Sequence, residues 1–115
     1  MDAFEQLDVW KRSSRLCVEV YKALVHCRDR GFRDQITRSA LSVPSNIAEG
    51  YERDSRQEFI RYLRIAKGSS GELRTQLYIG IEAGLLPKDR ASHFVVEAKE
   101  LSRMISGLII RLESL

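Results

Sequence analysis

One spacing constrains this chain more than anything else in it. From Phe59 onward, Phe59, Tyr62, Leu63, Ala66, Ser70, Leu73, Leu77 and Gly80 recur mostly at intervals of three and four. That rhythm puts them on one face of an α-helix and fits no strand, whose faces alternate every second residue. Ser55-Arg56-Gln57-Glu58 just ahead of the run has the form of a capping box, with the serine capping the helix and the glutamate reaching back. Gly84 is a stop after about Ala83. A helix of roughly 28 residues is about 42 Å long. Its apolar face needs long partners to cover it.

Three further segments supply them. In residues 8–27 and just before, Leu7, Trp10, Ser14, Cys17, Tyr21 and Leu24 keep helical spacing, and Gly31 is the expected C-terminal stop. Residues 32–50 carry Ile36, Ala40, Val43 and Ile47 among small residues, with Pro44 inside the pattern. A proline there removes a backbone donor and is expected to bend or interrupt the helix. Residues 88–113 repeat Phe94, Ala98, Leu101, Ile105, Leu108 and Leu112, and Pro87 suits a first-turn position. The connections are short, so neighbouring helices run antiparallel. The expected fold is all-α: an antiparallel up-and-down four-helix bundle, residues 1–115 forming a single domain.

At 115 residues such a bundle is only modestly stable alone, so association with further copies is expected. The 43% hydrophobic and 30% charged content suits helices with a solvated outer face. Residues 1–15 hold no apolar stretch resembling a signal peptide, and no run is long enough to span a membrane. Cys17 and Cys27 lie ten residues apart in one expected helix, about 15 Å and beyond disulfide reach. They read as reduced thiols, and the expected compartment is the cytoplasm.

Several apolar residues fall outside the main faces: Ile60, Ile65, Tyr78 and Ile79 on the third helix, and Val95, Val96, Met104, Ile109 and Ile110 on the fourth. Val9 and Leu16 do the same on the first. They either widen the core or form a second seam against another copy, and the reading favours the copy. Gly68 and Gly71 inside the third helix imply close helix approach or a local bend.

No pattern carries catalytic or cofactor chemistry. His26 and His93 belong to no metal-ligand spacing, no cysteine pair has CxxC spacing, and Gly68-Ser69-Ser70-Gly71 lacks the lysine of a phosphate loop. Two polar clusters stand out instead: Ser42, Ser45, Asn46, Glu49 and Gly50, and Gly68, Ser69, Ser70 and Glu72. They are expected to hydrogen-bond across adjacent helices and fix register, with Asn46 and Glu49 buried near Ser69 or Glu72. A ligand site on Asn46 and Glu49 is the alternative. The net charge is +3, and Arg61, Arg64, Lys67 and Arg74 crowd the third helix. They form either a solvated face or a phosphate-contacting surface, without the interleaved exposed aromatics of a single-strand reader.

The order of these motifs, SNIAEG at residues 45–50 and then Glu58, Phe59, Leu63, Ile65, Ala66, Gly68, Ser69, Glu72 and Leu73, resembles the four-helix-bundle family named after 23S ribosomal RNA intervening sequences. The similarity runs over nearly the whole chain. It implies a four-helix bundle that assembles as a ring-like homopentamer. The family is similar to the accessory variability protein of diversity-generating retroelements, a basic pentameric barrel that binds reverse transcriptase and nucleic acid. The function this implies is a non-enzymatic homo-oligomeric adaptor binding structured RNA or other nucleic acid, RNA or DNA, through basic surfaces. A scaffold for another protein, with no nucleic-acid role, is the alternative.

Overall fold

Each helix starts and stops where local chemistry allows. A computed structural model describes residues 3–115. After a 3-10 turn at Phe4–Gln6 come α1 (Asp8–Ala23), α2 (Arg30–Glu52), α3 (Arg56–Glu82) and α4 (Lys88–Glu113). Asp29 caps α2 by accepting a hydrogen bond from the Phe32 amide at 2.9 Å. Ser55 caps α3 through the Glu58 amide. Gly84, at φ +71°, closes α3, and the Leu85 amide reaches back to the Gly80 carbonyl at 2.8 Å.

The order of contacts fixes the topology. Along α2 and α3, Phe32 lies beside Gly80, Ser42 beside Ser69 and Gly50 beside Tyr62, so the two helices run in opposite directions. Likewise Ser70 meets Ala98 and Ser102 on α4, while Arg64 meets Glu113. Glu19 with Arg90 and Arg12 with Glu97 give the same sense for α1 and α4. Diagonal pairs do not approach, and the α1–α4 contact is the slightest. The result is an up-and-down bundle of 45 × 22 × 20 Å.

The core is divided. Leu16, Val20, Leu24, Ile36, Leu73, Leu77 and Leu101 belong to one cluster, and Val9, Val43, Ile47, Leu63, Ile105 and Ile109 to the other. Between them every helix contributes serine: Ser13, Ser39 and Ser42, Ser69 and Ser70, and Ser102. The Ser42 and Ser69 hydroxyls are 2.8 Å apart; Ser102 donates to Ser70 at 3.1 Å, and Ser70 donates to the Ala98 carbonyl at 3.0 Å. This layer ties α2, α3 and α4 together. At the same height Arg12 of α1 grips Glu97 of α4 through two bonds of 2.9 and 2.7 Å.

Several expectations require correction. Helix α1 ends at Ala23, so Cys27 lies outside it, and Gly31 sits in the first turn of α2, where the Asp29 cap already holds the chain. Pro44 does not interrupt α2; it is buried within a continuous helix. Pro87 is the residue before α4 rather than its first turn. The capping box is half made, because the Glu58 carboxylate turns to Arg61 instead of reaching back. Val9, Leu16, Ile60, Val95 and Ile109 are core residues, since each helix faces two neighbours and its inward arc is wider than one stripe. Ile65, Tyr78, Ile79, Val96 and Ile110 are exposed. Tyr21, expected inside, is 46% exposed, and with Val18, Val25 and Leu41 it forms an apolar stripe on the α1–α2 face. Gly68 and Gly71 meet nothing within 4 Å; the close approaches are at Gly50, where an added methyl would lie 2.5 Å from Tyr62 Cβ, and at Gly80, where it would lie 2.6 Å from Phe32 and Leu86.

Two outcomes follow from this packing. Gly50→Ala drives a methyl into Cβ of a neighbouring helix and lowers stability by about 1–3 kcal/mol, whereas Gly68→Ala raises it by up to about 1 kcal/mol through helix propensity. Urea unfolding compares them, and equal losses would show that the outer face of α3 is covered. The Arg12 hydrogen bond holds the Glu97 carboxyl below its usual range. Its contribution is therefore complete above the ordinary glutamate value and disappears as pH falls through the lowered one. Both side chains are partly exposed, so Glu97→Gln costs at most about 1 kcal/mol at neutral pH. The difference from wild type vanishes in acid unfolding curves.

Candidate nucleic-acid interface

The four cations singled out on α3 do not act together. Arg61 turns toward α2, pairs with Glu58 at 3.0 Å and lies 4.5 Å from the centre of the Tyr62 ring. The carboxylate raises its already high pKa, and Arg61 lowers that of Glu58 in return. Arg53 joins the same ring from 5.1 Å, donates to the Tyr62 hydroxyl at 2.7 Å and pairs with Glu49 at 3.1 Å. This cluster is internally neutralised.

Arg64 lies on the other flank, and it too is paired, with Glu113. From there a single stripe of α3 runs Arg64, Lys67, Gly71, Arg74, Tyr78 at spacings of three and four, facing the α4 side. Between α3 and α4, a cleft of 300 Å³ lined by Arg64, Lys67, Ser106, Ile109 and Ile110 opens at one end of this stripe. On α4 the matching stripe is Lys99, Arg103, Ser106, Ile110. Ser70 bonds both Ala98 and Ser102, and in this antiparallel pair that puts Lys99 level with Gly71, between Lys67 and Arg74. Arg103 is held by Glu100 at 2.6 Å. Among the described residues, no carboxylate lies within 4.0 Å of Lys67, Arg74 or Lys99.

Thus two of the four expected cations, with Lys99 from α4, form an uncompensated basic surface. Cation density along one helix does not reveal Lys99, although its spacing of seven from Ser106 marks the same stripe. The patch, expected to lack exposed aromatics, has Tyr78 45% exposed one turn beyond Arg74.

The polar motif is arranged differently from expectation. Asn46 is half-buried and bonds within α2, its amide donating to the Ser42 carbonyl and hydroxyl at 2.8 and 2.9 Å. Contact with α3 runs through Ser42 and Ser69, not through Asn46 itself. Ser45, Glu49 and Glu72 are exposed, because their positions on α2 and α3 point outward. Gly50 is buried against Tyr62, while Gly68 is open. No group of three or more His, Cys, Asp or Glu side chains among the described residues is placed to hold a metal ion. Both cysteines are free, and burial pushes the Cys17 thiol up. No described helix is long and apolar enough to cross a membrane.

The sequence matches the family described as 23S rRNA-intervening sequence protein over residues 5–107. The chain belongs to that family. A crystal structure of a Bacteroides thetaiotaomicron protein of unknown function, from the S23 ribosomal protein family, is similar to it. That likeness has a TM-score of 0.81 at 26% identity, covering 88% of this chain and 97% of the other. No curated protein matches the sequence. For this intervening-sequence protein the match embraces all of α1, α2 and α3 and most of α4, so both the serine layer and the basic stripe lie inside it.

The Ser42–Asn46–Ser69 network predicts a stability effect. Ser42→Ala removes the partner of the Ser69 hydroxyl and one of the two acceptors of the Asn46 amide, which keeps the Ser42 carbonyl, costing about 1 kcal/mol. Ser45→Ala, one turn away and exposed, changes the melting temperature little.

Proposed function

We propose that this intervening-sequence protein is a non-enzymatic, cytoplasmic homo-oligomeric adaptor, a homopentamer, that contacts nucleic acid through its basic α3–α4 surface. The observation carrying the proposal is the set Lys67, Arg74 and Lys99, three cations brought to one face by two helices with no carboxylate of the described residues within 4.0 Å of them. Phosphate groups satisfy such a surface and release counterions on binding. The family's name, which refers to 23S rRNA, points the same way.

Assembly is supported by the apolar stripe of Val18, Tyr21, Val25 and Leu41 on the α1–α2 face. That edge of the bundle is opposite the α3–α4 seam, so burying it leaves the cations open. A closed ring joins two different faces of each copy, of which this stripe supplies one. Repetition of the basic stripe around a ring adds avidity to weak single contacts. The same apolar stripe supports the alternative, a scaffold for another protein with no nucleic-acid role.

Salt separates the two readings. The adaptor binds structured RNA with an affinity that falls steeply as salt rises, and Lys67→Glu/Arg74→Glu weakens binding at least about tenfold with a salt slope shallower by roughly one to two. Arg61→Glu/Arg64→Glu has the smaller effect, since both arginines are already paired. Light scattering on the same samples gives a mass several times 13.2 kDa. A monomer would end the assembly proposal, and absence of wild-type binding at low salt favours the scaffold.

A further inference from the structure

The α3–α4 groove has three parts whose order specifies more than a generic polyanion. At one end is the cleft lined by Arg64, Lys67, Ser106, Ile109 and Ile110, with the Ile110 side chain 65% exposed. In the middle are the unneutralised cations Lys67, Lys99 and Arg74 around Gly71, which has nothing within 4 Å of the place a side chain would occupy. At the other end is Tyr78, its ring exposed one turn beyond Arg74. From Lys67 to Tyr78 is eleven residues, about 16 Å along the helix.

We propose that this groove holds an unpaired nucleic-acid strand, with phosphates on Lys67, Lys99 and Arg74, one base stacked on Tyr78 and another in the Ile109–Ile110 cleft. The inference rests on the nucleic-acid reading above and narrows it to single-stranded segments, such as the loops of a folded RNA. In a duplex the bases are stacked inside and cannot reach an aromatic ring or an apolar cleft, whereas an unpaired strand presents both faces of each base. The open floor at Gly71 lets the sugar–phosphate chain lie close to the α3 backbone, which any larger residue would prevent. The surface has no array of side-chain amides aimed at base edges, so the expected preference is for strandedness over sequence.

Fluorescence anisotropy of the full chain with a labelled oligouridine, and with the same strand annealed to oligoadenine, tests this at one low salt concentration. The unpaired strand binds at least about tenfold tighter than the duplex. Tyr78→Ala weakens single-strand binding about tenfold, an effect of the size of one stacked base, and leaves duplex binding unchanged. Tyr78→Phe retains wild-type affinity, because stacking needs the ring and not the hydroxyl. Gly71→Leu, placed in open space and harmless to the helix, also weakens single-strand binding, and circular dichroism and light scattering show each variant folded and assembled as the wild type. Equal affinity for strand and duplex, or indifference to Tyr78→Ala with continued sensitivity to Lys67→Glu/Arg74→Glu, overturns the single-strand inference and leaves nucleic-acid binding standing. No binding of either probe by the wild type overturns both.

Discussion

The interaction on which the rest of this structure depends is the layer of serines at mid-height. A bundle held by aliphatic packing alone allows neighbouring helices to slide by a turn with little change in buried area, because one leucine substitutes for another. Hydroxyls paired at Ser42–Ser69, Ser102–Ser70 and Ser70–Ala98 remove that freedom. A shift of one turn breaks the Ser42–Ser69 and Ser102–Ser70 pairings, and Ser70 is buried, where a lost hydrogen bond costs most. Small side chains serve a second purpose here, since they let the helices come close enough to bond. Arg12 and Glu97 do for α1 what the serines do for the other three helices, though from the rim, where water weakens the pair.

Register in turn decides the surface. Lys99 faces the gap between Lys67 and Arg74 only because Ser70 is tied to both Ala98 and Ser102 of the antiparallel α4. The same tie determines that Ser106 and Ile110 close the cleft beside Lys67. Gly50 contributes from the other side: by letting Tyr62 approach α2, it brings that ring under Arg53 and Arg61 and sets their paired carboxylates around it. One flank of α3 is thereby neutralised while the other keeps its charge. Two positively charged stripes that look alike in the chain acquire opposite characters from their neighbours.

The apolar surface divides in a comparable way. Val9, Leu16, Ile60, Val95 and Ile109 fill the margins of the core, which leaves less unburied apolar area on α3 and α4 than their helical projections imply. On α1 and α2, the exposed Val18, Tyr21 and Val25 share a stripe with Leu41 alongside. Tyr21 lies on the outer margin of the α1–α2 contact, in a cleft shared with Arg33, Asp34 and Thr37 of α2, while Leu24 points into the core.

The amino-acid sequence by itself determined the helical class, the four segments and most of the inward faces, because helix periodicity, caps and stops act within a few residues of one another. It also marked the small polar residues at 42–50 and 68–72 and the density of cations on α3. Only the tertiary structure decided which of those cations remain unpaired, that Lys99 joins them from another helix, that Asn46 reaches α3 through Ser42, and that Gly50 rather than Gly68 or Gly71 marks the close crossing. Those outcomes depend on which side chains face each other across an interface. Spacing along one helix specifies an angle about its own axis, but the partner at that angle is supplied by the register of a neighbour many residues away.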